Sequence, residues 1–84
     1  MASTNRYYQL VQQPTNPDAW DIFVGHEPTG DRVFIDTKYY EPAIQYIKEQ
    51  CAELNGWAHV DTRYSSSPDK RNIKRYPPQS LYYL

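Results

Sequence analysis

The sequence predicts an α+β fold: an antiparallel sheet of three to four strands packed on one helix, in the order β-β-β-α-β, followed by an extended C-terminal tail. Apolar residues alternate along short runs before residue 40 and after residue 56, which is typical of half-buried strands. Between these runs they recur every three or four residues, which indicates a helix. The chain has 84 residues, enough for one small domain, which we place at residues 1–64, with the tail at residues 65–84.

Three strands are expected in the first half of the chain. Arg6–Gln13, Trp20–Val24 and Arg32–Asp36 are rich in aromatic and β-branched residues, and turn-forming residues separate them. The segment 25–31 contains two glycines, a proline and an aspartate. This composition predicts a hairpin between the second and third strands.

The helix carries its apolar stripe from Tyr40 to Leu54. Pro42 suits the first turn, where its missing N–H has no partner to lose. An earlier start, capped by Asp36 or Thr37, is the alternative. Gly56 is expected to be the left-handed residue that ends the helix. Alternating residues at 57–64 then predict the fourth strand.

The strand and helix faces together predict the core. On the third strand, Val33 and Ile35 are expected to point into the core, and Arg32, Phe34 and Asp36 away from it. The predicted core residues are Leu10, Trp20, Ile22, Val24, Val33, Ile35, Ile44, Ile47, Cys51, Leu54 and Val60. On the opposite face, Phe23 and Phe34 are expected to point outward from adjacent antiparallel strands as a cross-strand pair. This face lacks a helix, so we expect the tail or a partner to cover it.

Charge is unevenly distributed although the net charge is only −1. Residues 1–61 contain 4 basic and 9 acidic residues, whereas residues 62–84 contain 5 basic and 1 acidic residue. An acidic domain with a basic tail predicts either docking of the tail on the domain or two different partner surfaces. The single cysteine excludes an internal disulfide and a cysteine-based zinc site. No apolar run is long enough to cross a membrane and none resembles a signal peptide, so a cytoplasmic protein is expected.

Two groups of residues contain the residue types of a catalytic or metal site. His26, Glu27 and Asp31 fall in the predicted hairpin loop, where polar residues usually serve turn formation rather than metal binding. The second group is Cys51, His59 and Asp61. Cys51 lies on the apolar helix stripe, where a cysteine is typically a small buried hydrophobe, and His59 is expected on a solvent-facing strand position. We therefore predict that the protein is not an enzyme and has no cofactor or metal.

Nine tyrosines against two phenylalanines and two tryptophans favour binding surfaces, because tyrosine suits positions with one dry and one wet end. We predict a non-enzymatic module that binds another protein, either an accessory subunit of a larger complex or an inhibitor of the kind that phages and mobile elements encode. The predicted partner-binding residues are Phe23, Arg32, Phe34, Tyr39, Tyr46, Lys70, Arg71, Lys74, Arg75, Tyr76, Tyr82 and Tyr83.

The alternative is a protein that binds single-stranded RNA or DNA, stacking bases on exposed sheet aromatics and contacting phosphates with the basic tail. The strand–strand–strand–helix order of residues 6–56 also resembles small plant and phage DNA-binding domains that insert a three-stranded sheet into the major groove. Asp21, Asp31 and Asp36 stand where such a sheet would need cations. The acidic domain therefore favours a protein partner over nucleic acid.

Overall fold

The computed structural model describes residues 5–25, 29–67, 69–70 and 72–77. It confirms the α+β class with one helix packed on one sheet. In chain order the elements are β1 (Arg6–Gln12), β2 (Ala19–Gly25), β3 (Arg32–Tyr39), α1 (Tyr40–Leu54), β4 (Ala58–Arg63) and β5 (Asn72–Tyr76).

The sheet has five strands in the order β3-β2-β1-β4-β5. The expected antiparallel sheet of three to four strands is therefore corrected to a five-stranded mixed sheet. β1 and β4 are parallel neighbours, because α1 carries the chain across the sheet before β4 begins. Asn72–Tyr76, assigned from the sequence to the extended tail, form β5 antiparallel to β4.

The core lies between α1 and one face of the sheet. Its buried residues are Tyr8, Leu10, Trp20, Ile22, Ala43, Ile47, Cys51, Ala58 and Val60. Six of the predicted core residues are among them, and Val24 and Ile44 pack against this cluster while partly buried. Tyr8 was left out of the predicted core, although alternation along β1 places it on the same face as Leu10. In the structure it pairs with Val24 of β2 and Val60 of β4.

The prediction that Val33 and Ile35 lie in the core is wrong. Val33 is 64% exposed and Ile35 is 38% exposed. β3 is an edge strand, and α1 begins directly after it at Tyr40. The buried core is formed by residues of β1, β2, α1 and β4, so the first part of β3 lies beside the core rather than in it. A bulge also shifts the β2–β3 register between Ile22 and Phe23, so that Asp36 rather than Ile35 pairs with Ile22.

The helix ends depart from expectation in one detail. Pro42 occupies the first turn, as predicted, and Tyr39 is the N-cap residue. The left-handed residue is Asn55, with φ 49° and ψ 48°, rather than Gly56. Asparagine tolerates this conformation better than most residues with a side chain. Gly56 follows it and donates its N–H to the Cys51 carbonyl at 3.2 Å.

Candidate partner-binding surface

The β3 edge concentrates exposed apolar side chains. Val33, Phe34, Ile35 and Tyr39 are four of the seven large hydrophobic residues that are exposed among the described residues. β3 also ends the sheet, so its outer backbone groups pair with no strand in the described part of the chain. An edge strand with exposed apolar side chains offers a template for pairing with another chain. We call this strand the β3 edge.

Next to the β3 edge, an aromatic corner projects from the sheet face that α1 does not cover, which we call the open face. The Phe23 and Phe34 rings pack edge to face with centroids 5.7 Å apart. The Arg32 guanidinium lies over the Phe23 ring, 4.1 Å from its centroid, and donates from Nη1 to Gln9 Oε1. The structure thus brings together three of the predicted binding residues.

The centre of the open face holds the carboxylate of Asp61, whose burial the sequence did not predict. Asp61 is fully buried, accepts a hydrogen bond from the Tyr7 hydroxyl at 2.8 Å, and is bound by the Arg63 guanidinium at 3.1 Å. The available signal was the i, i+2 spacing of Asp61 and Arg63, which places both on one face of a strand. Charge pairing explains how an aspartate tolerates this position.

Three of the basic residues that the structure describes lie in or just before β5, at the opposite edge of the sheet from β3. The Arg75 guanidinium lies 4.8 Å from the Trp57 ring centroid, and Lys70 and Lys74 are exposed. Tyr76 is half-buried against the core, and its carbonyl accepts a hydrogen bond from the Cys51 thiol at 3.7 Å. Of the other predicted binding residues, Arg71, Tyr82 and Tyr83 lie outside the described residues.

The two remaining predicted tyrosines occupy different settings. Tyr39 ends β3 and is 67% exposed, between two shallow grooves whose walls include Pro42. Tyr46 is partly buried and packs against the core cluster. Tyr39 therefore extends the apolar surface of the β3 edge, whereas Tyr46 contributes to the core.

The structure does not bring together the residues considered for catalysis. Cys51 packs on the covered face of the sheet, whereas His59 pairs in register with Arg75 and Tyr7 on the open face. The sheet therefore separates the thiol from the imidazole. No three His, Cys, Asp or Glu side chains of the described residues cluster as metal ligands. His26 and Glu27 lie outside the described residues.

Stability is expected to fall at alkaline pH. Burial raises the pKa of the Tyr8 and Tyr76 hydroxyls above 10.0 and that of the Cys51 thiol above 9.0. The unfolded chain releases these protons at lower pH than the folded chain, so the free energy of unfolding decreases as pH rises past the unfolded-state values. Urea midpoints measured between about pH 7 and about pH 11 should decline from about pH 9. In Cys51→Ala the decline should start at about pH 10, because the thiol is gone and the two tyrosine hydroxyls remain. A urea midpoint of the wild type that stays constant up to about pH 11 would contradict this expectation.

Among the described residues, no helix is both long and apolar enough to cross a bilayer. Comparison of the chain with protein-family models, curated proteins and solved structures finds no match.

Proposed function

We propose that this chain is a non-enzymatic module that binds another protein through the β3 edge and the adjoining Phe23–Phe34–Arg32 corner. An accessory subunit of a larger complex and an inhibitor of the phage or mobile-element type are the two forms of this function. The concentration of exposed apolar side chains on β3 is the observation that carries the proposal.

A protein partner suits this surface for two reasons. Unpaired backbone groups of an edge strand offer hydrogen bonds to an added strand, and the side chains beside them select its sequence. Phenylalanine, tyrosine and arginine are also enriched at protein interfaces, where large rigid side chains contribute most of the affinity. The exposed cations Lys70, Lys74 and Arg75 lie at the opposite edge of the sheet and would steer an acidic partner during encounter.

Substitution of Val33 by lysine tests this surface. The side chain is 64% exposed, so the change should leave folding intact while placing a charge on the β3 edge. Affinity capture with the tagged full-length chain from a nuclease-treated lysate of the source cells should recover a stoichiometric protein with the wild type. Val33→Lys should recover at least about tenfold less.

The matched control is Ile73→Lys, which makes the same kind of change on the other edge strand at a residue that is 48% exposed. It should capture the partner as the wild type does. Equal losses for Val33→Lys and Ile73→Lys would place the interface elsewhere, and the loss of all protein partners after nuclease treatment would refute the proposal.

A second candidate, binding of single-stranded nucleic acid, is favoured by one observation. Arginine stacks on an aromatic ring at both ends of the open face: Arg32 on Phe23 and Arg75 on Trp57. Bases stack readily on such guanidinium and ring planes. If this candidate is correct, affinity for an oligothymidylate should fall steeply as salt rises, whereas a protein complex anchored by apolar contacts should weaken mildly.

A further inference from the structure

A groove lies on the open face above β1, and the Arg32 and Arg63 side chains are part of its walls. It encloses about 340 Å³, and Gln9 and Val11 lie along β1 beneath it. Gln12 closes one end, where its Oε1 accepts hydrogen bonds from both the backbone N–H and the hydroxyl of Ser65 at 3.0 Å. The groove is thus formed by residues from β1, β3, β4 and the segment after β4.

Both guanidinium groups are held by neighbouring side chains, and each has N–H donors that these contacts do not use. Arg32 is oriented by the Phe23 ring and by the Nη1 hydrogen bond to Gln9, and its Nη2 donors have no hydrogen-bond partner among the residues that the structure describes. Arg63 contacts Asp61 through Nε and Nη2, so its Nη1 donors are not engaged there. Oriented guanidinium forks with unused donors are suited to bind a carboxylate or a phosphate oxygen.

We propose that this groove binds an acidic side chain of the protein partner, with the carboxylate held between Arg32 and Arg63. This inference rests on the proposed function, since the partner that pairs along the β3 edge would also supply the acidic residue. Arg32 belongs to β3 itself and reaches over β2 toward β1, so it links the β3 edge to the groove.

The charge of the groove favours a carboxylate over a polyphosphate chain. Asp61 lies buried beside Arg63 and neutralises part of its charge, which leaves the two guanidinium groups and this carboxylate with one net positive charge. Nucleic-acid affinity grows with the number of phosphates that a protein neutralises. A single net charge suits one carboxylate, and Asp21, also on the open face, would repel a longer anionic chain.

The test uses the full-length chain and a blocked hexapeptide of alternating serine and glutamate, with the glutamine version as its matched control. Binding is followed by amide chemical-shift changes in NMR spectra. The glutamate peptide should shift Gln9, Val11 and Ser65, and the glutamine peptide should not. Arg32→Gln should weaken binding of the glutamate peptide by at least about fivefold. Arg32→Lys keeps the charge but not the planar guanidinium, so its affinity should lie between those of the wild type and Arg32→Gln.

Lys38→Gln is the control variant, because it removes the same charge from β3 at a residue that pairs with Trp20 on the covered face. It should leave the affinity for the glutamate peptide within about twofold of the wild type. Equal effects of Arg32→Gln and Lys38→Gln would overturn the proposal. So would equal binding of the two peptides, no binding of either, or tighter binding of inorganic phosphate or a six-residue oligothymidylate in the groove.

The two proposals can fail separately. A chain that captures its partner, loses it with Val33→Lys and does not bind the glutamate peptide refutes the groove and leaves the proposed function standing. A chain that binds the glutamate peptide through Arg32 but captures no protein after nuclease treatment supports the groove as a carboxylate site and refutes the β3 edge as a protein interface.

Discussion

Ile22→Ala is expected to lower the free energy of unfolding by about 3 kcal/mol, whereas Ile35→Ala should cost less than about 1 kcal/mol. Ile22 is fully buried beneath α1, so its truncation loses apolar burial and leaves a cavity. Ile35 is 38% exposed on the β3 edge, where water already reaches the side chain. Urea denaturation followed by circular dichroism measures both variants against the wild type.

This pair distinguishes the observed register from the one that simple alternation predicts. Regular alternation would make Ile22 and Ile35 equal members of the core, and the two substitutions would then cost similar amounts. A loss at Ile35 as large as that at Ile22 would therefore contradict both the bulge and the absence of cover over β3.

Arg63→Met is expected to destabilise the fold by about 2–3 kcal/mol. The substitution keeps much of the side-chain volume but removes the guanidinium that contacts the buried Asp61 carboxylate at 3.1 Å. The loss should be smaller than that for a fully buried pair, because 33% of the Arg63 side chain is exposed and the Tyr7 hydroxyl still donates to Asp61. Thermal and urea unfolding of the variant measure the cost.

Two further variants separate the effect of the buried Asp61 charge from that of losing an arginine side chain. Arg75→Met removes a guanidinium that lies over an aromatic ring at an exposed position, and should cost less than about 1 kcal/mol. Adding Asp61→Asn to Arg63→Met should recover about half of the lost stability, because the buried side chain at residue 61 then carries no charge. A cost for Arg63→Met no greater than that for Arg75→Met would show that Asp61 does not depend on Arg63.

The local elements follow directly from sequence spacing. The apolar stripe from Tyr40 to Leu54 predicts the helix, and the runs before residue 40 predict three strands in the observed order. Phe23 and Phe34 were expected to meet on the uncovered face, and they do. These predictions succeed because side-chain direction within a strand or a helix is set by backbone geometry, which neighbouring residues share.

The candidate surface was predicted only in part. Spacing placed the Phe23–Phe34 pair, but it also placed Val33 in the core, because alternation indicates which residues share a face and not whether anything covers that face. Tyr76 was assigned to an extended tail, since a five-residue edge strand with three polar or charged residues has little apolar alternation. The Asp61–Arg63 pair was overlooked because burial of a charge depends on neighbours that are distant in sequence.

The sequence by itself therefore determined the fold class, the helix, the first four strands and one aromatic corner of the open face. Only the tertiary structure decided that β4 lies parallel beside β1 and that β3 and β5 form the two edges of the sheet. It also decided that Asp61 is buried and that Arg32 and Arg63 line the same groove. The physical reason is that strand order and cover arise from contacts between segments far apart in the chain, whereas periodicity reports only the local direction of each side chain.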